Sequence, residues 1–104
     1  MEYFVTITGI QYHYDAKDLK TGEILVLRKE PYNKHDEEAI AVYTMDNEQV
    51  GYVAKACSTQ AKGTYSAGRI YDKFEETVNV QIMFILHNSA IAKVLLDEKE
   101  EEEE

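Results

Sequence analysis

The stretch that decides the fold runs from Pro31 to Thr44 and reads PYNKHDEEAIAVYT. Six polar or charged residues in succession, Asn33 to Glu38, lead directly into the apolar segment AIAVY. The β-branched and aromatic residues of that segment favour a strand. A plain turn needs only one or two residues of the Asn and Asp type. The polar cluster at the entrance to a buried strand therefore calls for an explanation beyond a turn.

The length and composition of the chain indicate one mostly β domain. A chain of 104 residues is long enough for one hydrophobic core and too short for two independent ones. It is 44% hydrophobic, rich in Val, Ile, Thr and Tyr, and contains a single Pro. Such a composition favours strands over helices.

The pattern of the whole chain predicts an all-β fold with minor α content. Strands are predicted at Tyr3–Ile10, Glu23–Arg28, Ala39–Thr44, Gln49–Val53, Gly68–Phe74 and Thr77–Leu86. A short helix is predicted over Ala54–Lys62, and a C-terminal helix over AIAKVLL with Asn88 or Ser89 as its cap. Six short strands with one helix between the fourth and fifth suggest a small closed barrel, because closure removes exposed sheet edges. The barrel domain is predicted to span residues 1–96.

The net charge of −9 lies mainly in the last eight residues. Residues 97–104 contain seven acids and one Lys, whereas residues 1–96 contain thirteen acids and ten bases. That body lacks the excess of Lys and Arg expected of a protein that coats duplex DNA. The acidic segment 97–104 is predicted to be solvated and partly disordered, and an acidic surface of this kind also suits docking on a basic partner.

The reactive side chains predict neither catalysis nor metal binding. Cys57 is the single cysteine, which excludes an internal disulfide, and without a His nearby it fits a small buried residue better than a nucleophile. Zinc would suit the donors of His13, His35, Asp36 and His87, but their spacing matches no zinc motif. We predict no enzyme activity, no metal and no cofactor. With no signal peptide and no apolar run near ~20 residues, the expected location is cytoplasmic.

Three blocks of sequence resemble the HIRAN domain family. They are GIQYHY (residues 9–14), LRKEPYNKHDEEAIAV (residues 27–42) and QVGYVAK (residues 49–55). The match is most specific at Glu30-Pro31, Asn33, Asp36, Ala39-Ile40 and Gly51-Tyr52. The resemblance implies a six-stranded barrel related to the OB-fold. The chain contains no helicase motif and therefore resembles the free-standing, bacterial-type members.

The resemblance also implies a function. In a helicase-type member of the family, the domain captures the 3′ end of single-stranded DNA and supports remodelling of stalled replication forks. The expectation for this chain is a module that captures DNA 3′-hydroxyl ends, linked to DNA repair or replication-fork processing. The alternative is a protein-interaction module or scaffold with an acidic surface and no nucleic-acid binding.

Asp36 matches the Asp of the family motif and is the candidate for recognising the end. A carboxylate accepts a hydrogen bond from a terminal hydroxyl and repels a phosphate in its place. Asn33 can both donate to and accept from a sugar or base edge. The alternative for both residues is local, because Asn and Asp before a strand commonly bond their own backbone in turns.

The resemblance implies further contacts with nucleic acid. Tyr12 is a candidate stacking platform, unless it only forms part of the core or surface. His13 takes the place of a second aromatic, His35 replaces a Tyr, and Tyr52 stands where the family has a His. Candidate backbone contacts are Lys34, Lys55 and Lys62. Gln11 stands where the DNA-end binder has an Arg, so the expected affinity is low. Phe84 is predicted to pack in the core.

Overall fold

The fold is a closed barrel of six antiparallel strands within the residues that this computed structural model describes, 2–12, 14–55 and 63–96. The strands are β1 (Phe4–Thr8), β2 (Ile24–Lys29), β3 (Ile40–Thr44), β4 (Gln49–Val53), β5 (Thr77–Leu86) and β6 (Ser89–Leu95). Their order around the barrel is β1-β4-β3-β2-β5-β6, and β6 pairs again with β1. The predicted closed barrel is confirmed.

The barrel interior is filled by alternate residues of the strands, as the period of two requires. In β6, Ala90, Ala92 and Val94 are buried while the residues between them are half-buried. In β2, Leu25 and Leu27 are fully buried and join the same core. Small alanines on one wall leave room for larger aliphatic side chains from the others, which is how a narrow barrel fills its interior.

A short helical segment covers one end of the barrel. Helix α1 (Ala67–Ile70) continues into a 3-10 turn (Tyr71–Lys73), and both Ala67 and Ile70 are buried in the barrel core. The amide of Ala67 donates to the carbonyl of Ala54, just after β4 (2.9 Å). The Lys29 ammonium, at the end of β2, donates to the Phe74 carbonyl (2.6 Å). These contacts fix α1 across the end where β2 and β4 finish and β3 begins.

Two predicted elements are wrong. Ser89–Leu95 is strand β6 and not a C-terminal helix, and Asn88 adopts a positive φ of 64° in the turn before it. Its Ala, Lys and Leu content favours a helix, but pairing with both β5 and β1 overrides that propensity. The segment Gly68–Phe74, predicted as a strand, lies in α1 and the 3-10 turn after it as far as Lys73, and burial at Ala67 and Ile70 follows a helical spacing.

Phe84 does not pack in the core, contrary to the prediction, and is 59% exposed. Alternation from Val80 and Ile82 would turn it inward, but the register shifts between Ile82 and Phe84. One extra residue in a strand reverses the face of every residue after it. Phe84 therefore pairs with Ile91 on the outer face of the β5–β6 hairpin.

Other expectations fall partly outside the described ranges. A helix does lie between β4 and β5, but Ala54 and Lys55 of the predicted helix Ala54–Lys62 are not helical. Residues 56–62, which include Cys57 and Lys62, are not described, and neither is the acidic segment 97–104. None of the helices in the described ranges has the length and apolar character needed to cross a bilayer.

At Gly51 the backbone of β4 lies close to the backbone of β1. A Cβ atom added at Gly51 would overlap the backbone carbonyl oxygen of Thr8, which cannot move without disturbing β1. The pairing of Thr8 with Tyr52 depends on this approach. Only glycine fits here, which explains why Gly51 precedes Tyr52 in the sequence.

We expect Gly51→Ala to lower the free energy of unfolding by roughly 1–3 kcal/mol or more, because overpacking forces backbone shifts. Gly68→Ala is the matched control. Its added Cβ would lie 3.2 Å from the flexible side-chain oxygen of Glu38, and alanine favours a helix by roughly 0.5–1 kcal/mol over glycine. Urea unfolding monitored by circular dichroism measures both. Equal midpoints for Gly51→Ala and the wild type would contradict the prediction.

Candidate functional site

A cleft on the outer wall of the barrel brings together most of the side chains predicted to form the site. Its volume is about 380 Å³, and it lies between the loop before β3 and the end of β4. Five of the predicted residues line it: Asn33, His35, Asp36, Tyr52 and Lys55. Its remaining walls come from Thr8, Ala39, Ile40, Val53 and Ala54. The cleft combines an apolar floor with an amide, a carboxylate, an ammonium and two aromatic rings.

The loop from Asn33 to Ala39 is held by hydrogen bonds from its own side chains. The Asn33 Oδ1 atom accepts from the amides of His35 (2.8 Å) and Asp36 (3.2 Å). Asp36 Oδ1 accepts from the amide of Glu38 (3.0 Å), and the Asp36 carbonyl accepts from the amide of Ala39 (3.1 Å). Asn33 and Asp36 therefore bond the backbone of their own loop, as the local alternative in the sequence analysis expected. It also fixes both side chains beside the cleft.

Glu30 anchors the cleft, although the sequence analysis did not count it among the site residues. Its Oε1 atom accepts from the Asn33 side-chain amide (2.9 Å) and from the Tyr52 hydroxyl (3.1 Å). One carboxylate thus ties the loop to β4. Its place in the family-like block before Pro31 was the only signal in the sequence, because nothing local indicates a partner 22 residues away.

The Tyr52 hydroxyl is a neutral donor. Burial is the main cause that raises the pKa of Tyr52, and the Glu30 carboxylate raises it further. A raised pKa keeps the proton on the phenol at physiological pH. The protonated hydroxyl donates to Glu30, and this hydrogen bond ties the ring of Tyr52 to the loop.

Asp36 and Lys55 form an ion pair inside the cleft. The Lys55 Nζ atom lies 2.6 Å from Asp36 Oδ2, and their side chains are 57% and 20% exposed. The hydrogen bond from Lys55 is the main cause that lowers the pKa of Asp36, and the Glu38 amide lowers it further against the opposing effect of burial. Asp36 is therefore ionised, but its charge is balanced by a cation that the sequence analysis treated as a separate contact.

The structure does not bring every predicted residue into the cleft. Tyr12 is 79% exposed at the end of a 3-10 turn after β1, and Lys34 is exposed on the loop; neither lines the cleft. His13 lies outside the described residues. Thr8, at the end of β1, is a wall residue that the sequence analysis missed, because its position depends on the pairing of β1 with β4.

A second cleft, of about 460 Å³, lies on the other side of Pro31 and is less suited to an anion. Its walls include Arg28 and Lys29, but also Glu75 and Glu76. Both bases are engaged elsewhere: Arg28 donates to Asn47 Oδ1 (2.8 Å), and Lys29 donates to a backbone carbonyl. Within the described ranges, no three His, Cys, Asp or Glu side chains come together as a metal would require.

We expect Lys55→Met to raise the pKa of Asp36, because the variant removes the hydrogen bond that chiefly lowers it. A carboxylate with a lowered pKa stabilises the fold above its unfolded value of about 3.9, and the gain is lost as the pH falls through the lower folded value. The pair is partly exposed, so the variant should cost less than about 1 kcal/mol at pH 7, and this cost should vanish in strong acid.

An NMR titration of the Asp36 carboxyl, together with urea unfolding at pH 7 and in strong acid, measures both effects. Lys93→Met is the matched control, because it removes the ion pair with Glu2 (3.1 Å) without touching the cleft. An Asp36 pKa that responds equally to both variants would contradict the assignment.

Comparisons with known proteins agree with the geometry of the barrel. A family model for the HIRAN domain matches residues 1–87. Among solved structures, the chain resembles the HIRAN domain of human HLTF, with a TM-score of 0.63 and 17% identity over 98% of this chain and 81% of that one. It also resembles a protein from Lactobacillus plantarum, with a TM-score of 0.61 and 20% identity over 90% of this chain and 93% of that one.

At these identities the structural likeness shows the fold, and a comparison with curated protein sequences finds no match. The family itself follows from the sequence model, which covers most of the chain and contains the loop that forms the cleft. The chain belongs to the HIRAN domain family.

Proposed function

We propose that the chain is a non-catalytic module that captures 3′-hydroxyl ends of single-stranded DNA in the cleft. The observation that carries the proposal is the convergence of Asn33, His35, Asp36, Tyr52 and Lys55 on one cleft. These side chains supply an acceptor for a hydroxyl, a cation for a phosphate and aromatic faces for a sugar or base. Membership of the HIRAN family supports the same assignment.

Asp36 is the proposed acceptor for the terminal hydroxyl. Its two oxygens already accept one hydrogen bond each, from Lys55 and from the Glu38 amide. An ionised carboxylate has about four acceptor sites, so it retains capacity for a hydroxyl donor. A hydrogen bond to a charged acceptor contributes roughly 1.5–3 kcal/mol.

Lys55 is the proposed contact for the phosphate that precedes the terminal sugar. Its ammonium is more than half exposed and is held in place by Asp36. Unbalanced, a carboxylate about 4 Å from a phosphate would cost about 4 kcal/mol at an effective dielectric near 20. Because Lys55 offsets this repulsion, we expect discrimination against a 3′-phosphate to be about tenfold, or about 1.4 kcal/mol.

The aromatic walls of the cleft are the proposed contacts for the terminal nucleotide. Tyr52 is positioned by its hydrogen bond to Glu30, and His35 is an exposed residue of the loop that lines the cleft. Stacking of a base on such a ring contributes roughly 1–3 kcal/mol. Tyr12 and Lys34, which do not line the cleft, remain proposals for the neighbouring nucleotides, and His13 remains a proposal that lies outside the described residues.

The proposed role in DNA repair or fork processing follows from this activity and the family. A free 3′ end is exposed wherever a nascent strand is displaced, so a module that recognises it would mark such structures. The competing proposal is a protein-interaction module with an acidic surface. The two differ in whether the cleft binds an oligonucleotide at all.

We expect the wild type to bind a fluorescent oligonucleotide with a 3′-hydroxyl about tenfold more tightly than the same oligonucleotide with a 3′-phosphate. Asp36→Ala should abolish this preference, because it removes the acceptor for the hydroxyl. Fluorescence anisotropy at low salt measures both affinities, with the label at the 5′ end.

Asp36 also holds the loop, so the experiment needs a variant that keeps the turn. Asp36→Asn retains an oxygen for the Glu38 amide while it removes the charge, and it should reduce the preference without unfolding the loop. Lys93→Met removes an ion pair outside the cleft and is the control, which should keep the wild-type preference for a 3′-hydroxyl. Equal affinity of the wild type for 3′-hydroxyl and 3′-phosphate oligonucleotides would contradict the proposed capture of 3′-hydroxyl ends. If the wild type binds neither oligonucleotide and no blunt duplex, the protein-interaction module is favoured.

A further inference from the structure

Two cations flank a pair of aromatic rings on the surface formed by α1 and the start of β1. We call this set the cation–aromatic row, and it consists of Arg69, Tyr65, Tyr3 and Lys73. The Arg69 guanidinium lies 4.7 Å from the centre of the Tyr65 ring. Tyr65 meets Tyr3 edge to face, with centroids 5.0 Å apart, and the Lys73 ammonium lies 5.2 Å from the centre of the Tyr3 ring.

The row is rigidly mounted although its cations are exposed. Arg69 and Lys73 are four residues apart on the helical segment, so they project from the same side. Ala67 and Ile70 bury the opposite side in the barrel core, and Tyr3 and Tyr65 pack against that core. In the described part of the chain, the two ion pairs lie elsewhere, at Asp36–Lys55 and Glu2–Lys93. Both cations of the row thus remain available to an anion.

Two hydrogen bonds join the helical segment that carries the row to the cleft. The Ala67 amide, at the start of α1, donates to the carbonyl of Ala54, which lines the cleft. The Tyr71 hydroxyl donates to the carbonyl of Glu37 on the cleft loop (3.3 Å). The segment that carries Arg69 and Lys73 therefore lies against the cleft loop and the end of β4, and a strand that leaves the cleft in this direction meets the row.

The chemistry of the row selects phosphate and not base. Cations already cover faces of Tyr65 and Tyr3, so these faces are closed to a stacking base. Arg69 and Lys73 are exposed, and their N–H groups suit phosphate oxygens. Contacts with phosphate add affinity and position, but no sequence preference. Three exposed carboxylates nearby, those of Glu37, Glu38 and Asp72, oppose an anion and limit the gain.

We propose that the cation–aromatic row binds the sugar–phosphate backbone of the strand whose 3′ end occupies the cleft. This inference rests on the proposed function and extends it to a second contact surface. The row supplies length-dependent and salt-dependent affinity, while the cleft supplies recognition of the end. The expected ligand is a single strand long enough to reach from the cleft across α1.

The test compares 3′-hydroxyl oligothymidylates of about 4 and about 15 nucleotides, the range of lengths that OB-like folds occupy. The double variant Arg69→Ala with Lys73→Ala should lose most of the affinity gained by the longer oligonucleotide, roughly tenfold. Loss of two phosphate contacts should also reduce the slope of log affinity against log salt by about 1.4. Its preference for a 3′-hydroxyl over a 3′-phosphate should stay unchanged.

Two further variants separate charge from other effects. Lys17→Ala with Lys20→Ala removes the same charge from two exposed lysines at the opposite end of the barrel, and it should keep the wild-type salt slope. Arg69→Lys with Lys73→Arg keeps both charges over the rings and should retain most of the slope. Thermal unfolding of each variant confirms that the barrel is intact.

The outcomes distinguish this inference from the proposed function. If the wild type prefers 3′-hydroxyl ends but the Arg69 and Lys73 variant matches the Lys17 and Lys20 control in affinity and slope, the row is overturned and the cleft stands. If the variant loses the salt slope while the wild type shows no end preference, the row stands and end capture is overturned. Failure of the wild type to bind either oligonucleotide overturns both.

Discussion

The pairing of β6 with β1 is the constraint on which the rest of the structure depends. β6 pairs along its whole length with β5 and, from Ala90 to Lys93, with β1. Without that second pairing, the sheet would be open, with two edges exposed to other chains. On its other side the end of β1 pairs with β4, where the absence of a side chain at Gly51 allows the two backbones to approach. The position of Thr8 and Tyr52 in the cleft wall follows from this approach.

Hydrogen bonds within the protein hold the polar side chains of the cleft in place without a ligand. Side chains of Asn33 and Asp36 hold their own loop, and Glu30 ties that loop to Tyr52 on β4. A site whose side chains are already held by neighbours loses less conformational freedom on binding. The local role of Asp36 and its proposed role in binding are thus compatible, since the same hydrogen bond that fixes the loop also orients the carboxylate. Lys55 balances the negative charge of Asp36, so the cleft offers both a hydrogen-bond acceptor and a cation.

In the proposed arrangement the cleft recognises the 3′ end, and the cation–aromatic row adds affinity for the phosphates. A mildly acidic domain binds nucleic acid in this way through local clusters of charge. Among the residues that the structure describes, Lys55 is the one Lys or Arg side chain that lines the cleft, so the cleft alone offers little attraction for phosphates. The helical segment carries Arg69 and Lys73 on one side and is hydrogen-bonded to the cleft loop and to the end of β4. Local clusters matter more than net charge here, because salt screens charges beyond a Debye length of about 8–10 Å.

The sequence by itself determined the barrel class, the first four strands, the turn chemistry of Asn33 and Asp36, and membership of the family. These features depend on local alternation, on side chains that bond their own backbone, and on a motif with fixed spacing. It also indicated most of the cleft, because the loop residues and the end of β4 lie in two short blocks of the family pattern.

Only the tertiary structure decided that Ser89–Leu95 is a strand and that Phe84 faces outward. It also decided that Glu30 binds Tyr52 and that Lys73 lies over the ring of Tyr3. Each depends on partners distant in the chain. The Ala-rich segment Ser89–Leu95 is a strand because it pairs with both β5 and β1. One extra residue in β5 turns Phe84 to the outer face of the barrel. Local propensity is worth only a fraction of a kcal/mol per residue, so long-range pairing and burial overrule it.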